Sequence, residues 1–145
     1  MSKEPKWLSK AAALAIHERL LAEHGGAVGY HDEGSLDAAL AAPRNRFLYD
    51  QADVFRLAAA YAQAFTRNHP FRDGNKRVAL TAAAVFLERN GHLLGASEGD
   101  AATAMFALVE RKMDEVGFAA WLRTNSTRVA RKRSARSTTR KKPRA

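Results

Sequence analysis

His69-Pro70-Phe71-Arg72-Asp73-Gly74-Asn75-Lys76-Arg77 runs straight into an apolar helical pattern formed by Val78, Ala79, Leu80, Ala82, Ala83, Val85, Phe86 and Leu87. That pattern stops at Asn90-Gly91, a strong C-terminal stop signal. A loop leading directly into a helix leaves unpaired backbone N–H groups at the helix start. The helix dipole adds partial positive charge there, so the junction suits phosphate. Lys76 and Arg77 fall in the first turn, where cations oppose the dipole and a bound anion would relieve them.

Each residue of the stretch has a plain reading beside a chemical one. Asp73 is a helix N-cap or an oxygen ligand for Mg²⁺ beside polyphosphate. His69 is a helix terminator or the acceptor of a hydroxyl proton near neutral pH. Lys76 and Arg77 are solvated charges or phosphate ligands. Phe71, flanked by polar residues, plugs the loop into the core, which is also what a pre-organised site requires. The ordered set in one loop outweighs any member alone.

Outward from this stretch, periodicity predicts a succession of helices. Helices are expected over 7–23, with Ser9 as N-cap, over 35–42, ended by Pro43, and over 52–68, delivering His69. The helix over 75–90 is apolar nearly all round and is expected to be the most buried element. A helix over 97–112, with Met105, Phe106, Leu108 and Val109 in the core, and a closing segment over 118–123 complete the set. His17 and His24 have no metal-ligand partner at useful spacing and read as surface or cap residues. Residues 24–30 (His-Gly-Gly-Ala-Val-Gly-Tyr) read as a helix stop and turn, because no phosphate-loop signature accompanies them. His31-Asp32-Glu33 reads as solvated.

The 145 residues make one domain. With no Cys there is no disulfide, thiolate nucleophile or Cys-based zinc site, which fits a cytoplasmic location. No apolar run reaches the ~20 residues of a membrane span. Residues 1–5 lack the apolar segment of a signal peptide. The net charge of +9 is confined to the C-terminus. Residues 126–145 hold nine of the 24 basic residues and no acid, so 1–125 carries 15 of each sign. The division expected is a folded domain over 1–125 and a basic, disordered tail over 126–145.

The nine-residue stretch resembles the signature of the Fic/Doc (Fido) superfamily. Lys76 stands where the Fic branch has a second Gly, and Leu80 where it has a second Arg. Both match the Doc branch, the "death on curing" toxins, while Pro70 and Gly74 are Fic-like letters. The likeness covers about residues 7–124. It implies a compact Fido-type helical bundle with the motif loop leading into a buried central helix. It also implies a kinase that transfers the γ-phosphate of ATP to a Thr or Ser hydroxyl of a translation protein of the EF-Tu class. On that likeness His69 is the base. Asp73 holds Mg²⁺, Gly74 and Asn75 form the anion cradle with the backbone before Lys76, and Lys76 and Arg77 neutralise the transferring phosphoryl group. Arg46, Phe47 and Tyr49 would lie on a flap, over 43–50, that grips the target; an ordinary interhelical loop is the alternative.

Self-inhibited Fic chains carry Ser/Thr four residues before a Glu-Gly or Glu-Asn pair. Here Glu33-Gly34 and Glu98-Gly99 have Gly29 and Leu94 at that position. The resemblance therefore implies a separate, Phd-like antitoxin. DNA would be met only through that complex or weakly through the tail, and no membrane is involved. Two rivals remain: a Fic-type AMP transferase and a catalytically silent Fido-fold interaction module.

Overall fold

The computed structural model describes residues 4–30 and 32–129. Among the described residues six helices follow one another: α1 (Lys10–His24), α2 (Glu33–Asp50), α3 (Val54–Asn68), α4 (Asn75–Arg89), α5 (Glu98–Val109) and α6 (Glu115–Thr124). A short ribbon, β1 (His92–Leu94) paired antiparallel with β2 (Ser126–Arg128), ties the C-terminal end to the turn after α4. The fold is all-α, as the family likeness implied.

Local chemistry starts most of the helices. Ser9 Oγ accepts from Ala12 N at 3.0 Å to open α1. Asp32, Asp53, Ser97 and Asp114 cap α2, α3, α5 and α6 in the same way. The packing centre is α3, which lies against α2, α4 and α6. It buries Leu57, Tyr61 and Phe65 together with Ala58, Ala59, Ala60, Ala62 and Ala64. Small Ala side chains let neighbouring helices approach closely, while each buried Leu or Phe contributes about 1.5–3 kcal/mol. The expectation that α4 is the most enclosed element is thus corrected in favour of α3: Thr81, Ala84 and Val85 of α4 are only half-buried.

Pro43 does not end a helix. Residues 33–50 form one continuous α2 with Pro43 inside and buried beside Leu36 and Ala39. Proline removes one helical N–H and costs roughly 3 kcal/mol in an isolated helix. Here its ring, together with Leu36 and Ala39, faces the core, and that burial offsets the lost bond. The expected flap over 43–50 is therefore the second half of α2. Phe47 packs edge-on against Trp7 at 5.7 Å, and Arg46 pairs with Glu115. Only Tyr49 of the three expected gripping residues is exposed.

Residues 92–94, for which periodicity predicts no helix, form β1. Ser126–Arg128, expected in the tail, form β2. The remaining expected tail, 130–145, lies outside the described residues, as does His31.

Candidate active site

The site is built by two left-handed residues. His69 ends α3 at φ 47°, ψ 57°, and Gly74 precedes α4 at φ 83°. A positive φ is uncommon for a histidine and needs support. Phe71 supplies it. Its ring is buried, stacked on the His17 imidazole at 3.8 Å and parallel to Phe65 at 6.4 Å. The loop is thereby pinned by about 2–3 kcal/mol of aromatic burial.

Asn75 locks what Phe71 anchors. It is 8% exposed. Its Oδ1 accepts from Phe71 N at 3.1 Å, and its Nδ2 donates to Phe71 O at 2.9 Å. Those two bonds fix the amide orientation, and Nδ2 then lies 3.4 Å from His69 Nδ1. The long contact leaves either imidazole tautomer open, and Nε2 has no protein partner among the described residues. With its side chain committed, Asn75 can offer an anion only its backbone N–H.

The start of α4 differs from the other five helix starts. Gly74 at its N-cap provides no side-chain acceptor. The first N–H groups of α4 are left open, with the positive end of the dipole behind them. Lys76 and Arg77 stand exposed over this end. Among the described residues no carboxylate lies within ion-pair range of Arg72, Lys76 or Arg77.

Asp73 does not cap α4. Its Oδ1 accepts from Gly74 N at 2.9 Å and its Oδ2 from Ala27 N at 3.4 Å. One carboxylate cannot hold a divalent cation alone, and the described residues contain no cluster of three acidic or His ligands. A single exposed carboxylate beside an anion cradle does fit Mg²⁺ carried in on phosphate oxygens.

Two supports of the site went unread in the sequence. His17 is 6% exposed, not a surface residue, and its Nε2 donates to Asp73 O at 3.0 Å. Its spacing of four from buried Ala13 was the available signal. The Gly-rich turn is a second backing strand. Gly29 O accepts from Arg72 N at 3.1 Å, Pro70 O from Asp32 N at 3.2 Å, and Tyr30 bridges Phe71. At Gly26 a Cβ would stand 2.8 Å from Asp73 Oδ2, so any side chain would push the carboxylate away.

A cavity of about 670 Å³ opens over the loop. His69, Asp73, Gly74, Asn75, Lys76 and Arg77 all line it. The facing wall comes from α5: Ala101, Ala102, Met105 and Phe106, with Glu98 at the start of that helix. Phe106, expected in the core, is 58% exposed there.

The helical unit thus brings an open helix start, cations without an ion pair among the described residues and an imidazole onto one cavity. Comparison with known proteins names its family. The Fic/DOC family profile matches residues 7–87. The chain is 36% identical over 85 residues to "Protein kinase doc" of Escherichia phage P1, covering 58% of this chain and 68% of that protein. It is 45% identical over 75 residues to "Toxin Doc" of Mycolicibacterium smegmatis, covering 50% of this chain and 57% of that one. The chain belongs to the Fic/Doc family. No helix among the described residues is long and apolar enough to cross a membrane.

Proposed function

We propose that this protein is a Doc-type toxin: a cytoplasmic, ATP-dependent kinase that phosphorylates a Ser or Thr hydroxyl of a translation protein of the EF-Tu class. A separate, Phd-like antitoxin neutralises it. The observation that carries this reading is the bare start of α4, with Lys76 and Arg77 unpaired above it and His69 on the same cavity. The name of the phage P1 relative, "Protein kinase doc", supports the choice of kinase, and that of the second, "Toxin Doc", supports the toxin reading.

The chemistry follows from those groups. The terminal phosphate of ATP lies against the backbone N–H groups of Asn75 and Lys76. The His69 imidazole takes the proton of the acceptor hydroxyl. The acceptor oxygen forms its bond to the γ-phosphorus as the bond to the bridging oxygen of ADP breaks. Lys76 and Arg77 neutralise charge spreading over the transferring oxygens. Phosphoryl transfer is mostly positioning and charge stabilisation, which this wall provides. Asp73 would hold Mg²⁺, which when bound offsets phosphate charge. Lys76 fills space that Gly leaves open in AMP-transferring relatives, and Leu80 brings no second Arg to the outer phosphates.

Labelled ATP tests the reading. The protein is incubated with a cell extract and ATP labelled at the γ or the α position. A γ-label on a target protein, lost with His69→Ala, is the expected result. An α-label on the target would replace the kinase with a nucleotidyl transferase. Growth arrest that persists with His69→Ala would leave only the non-enzymatic interaction module.

A further inference from the structure

The cavity is larger and less polar than a phosphate cradle needs. Its volume of about 670 Å³ sits within the roughly 300–1,000 Å³ typical of sites for whole small molecules. One wall is cationic and rich in N–H donors. The other is α5, with Ala101 and Ala102 leaving room beside Met105 and Phe106. Phe106 is the anomaly. Met105 and Leu108, its neighbours on α5, are buried, yet Phe106 keeps 58% of its surface exposed beside the cavity. A lone exposed apolar residue means little, but one set among apolar lining residues next to an anion site marks a ligand surface. Residues 98–109 also lie outside the segment matched by the family profile.

Glu98 adds polarity to this wall. Its carboxylate repels phosphate and accepts from N–H and O–H donors. A polyphosphate therefore belongs at the α4 wall, and the uncharged, donor-bearing end of the same ligand belongs at the α5 wall. We propose that Phe106 is the stacking platform for the nucleobase of the bound nucleotide, with Glu98 facing its exocyclic amine or ribose hydroxyls. This rests on the nucleotide reading above and adds which end of the ligand lies where.

The test compares MgATP with Mg-tripolyphosphate, which has the phosphates but no base. Affinities are measured by calorimetry on the full chain, Phe106→Ala and Phe106→Trp. The exposed position should leave the thermal melt of both variants unchanged. Loss of one base–aromatic stack weakens ATP binding by about tenfold or more. The expected result is that loss in Phe106→Ala, unchanged tripolyphosphate binding, and ATP affinity restored in Phe106→Trp. Equal ATP affinity in Phe106→Ala and the parent chain overturns the platform, and so does a parallel loss of both ligands. Parent chain that binds tripolyphosphate as tightly as ATP overturns it too, while leaving the anion site standing. Parent chain that binds neither ligand removes the nucleotide reading and the platform together.

Discussion

Arginine and lysine meet opposite fates in two regions of this molecule. At Glu115, which is 7% exposed, Arg46 Nε lies 2.8 Å and Arg56 Nε 2.8 Å from one carboxylate oxygen. That knot ties α2 and α3 to the first turn of α6. Its hydrogen bonds hold the Arg46 guanidinium charged even more firmly than usual. At the start of α4, Arg72, Lys76 and Arg77 form no ion pair among the described residues, not even with Asp73 in their own loop, and the N–H groups beside them have no side-chain cap. The first cluster is closed around one buried carboxylate that two guanidinium groups share. The second has no such pairing, and a bound anion would relieve its mutual repulsion. Cations that brace the fold have a counter-charge in the chain; under the proposed function, those at the start of α4 await one from outside.

Paired substitutions can break this contrast. Arg77→Ala should lower phosphoryl transfer roughly 10²–10³-fold, the usual loss for one charge-stabilising donor. Its urea midpoint should stay level or rise slightly, because a cation opposing the helix dipole has gone. Single-turnover transfer and urea unfolding read the two properties separately. Transfer at the parent rate would show that the open cations do not meet the reacting phosphate.

Glu115→Ala should do the reverse. It strands two partly buried guanidinium groups and should cost about 3 kcal/mol of stability. Transfer per folded molecule should persist. An unchanged urea midpoint would show that the knot is not what binds α6 to the body.

Asn75→Ala sharpens the boundary between the regions. It leaves the buried Phe71 N–H and C=O unpaired, at about 2 kcal/mol. It also frees the His69 ring, so stability and transfer should fall together. A loss confined to stability would mean that Asn75 does not position the imidazole.

The smallest effect concerns His92, a third fate in which a cation faces an imidazole. Burial, then Arg128, pulls its pKa below the ordinary 6.5. The folded state therefore favours the neutral ring. This contribution to stability is full above about pH 6.5 and is lost as pH falls through that value towards the folded pKa. NMR titration should place His92 below 6.5, and Arg128→Gln should raise it only part of the way. A full return to 6.5 would show that burial has no part in the shift.

Much of the fold was readable because local rules and packing agreed. Ser9 as N-cap, Asn90-Gly91 as a stop and the helical spans of α3 and α4 matched within a residue or two. The site wall was readable because its members are neighbours in one loop. The misses occurred where distant contacts override a local rule. Burial of the Pro43 ring outweighs its helix-breaking tendency. His17 faces Phe71 only because α1 lies alongside the motif loop. Phe106 follows a core-like spacing but meets a cavity.

Residue order alone determined which loop leads into the uncapped helix start and which side chains accompany it on the cavity, because a turn and a helix start are short-range events. Folding decided what holds that loop in place, namely the His17–Phe71 stack, the Gly26 approach and the Asn75 bonds. It also decided what stands across from it, since α5 reaches the cavity only through packing between segments far apart in the chain.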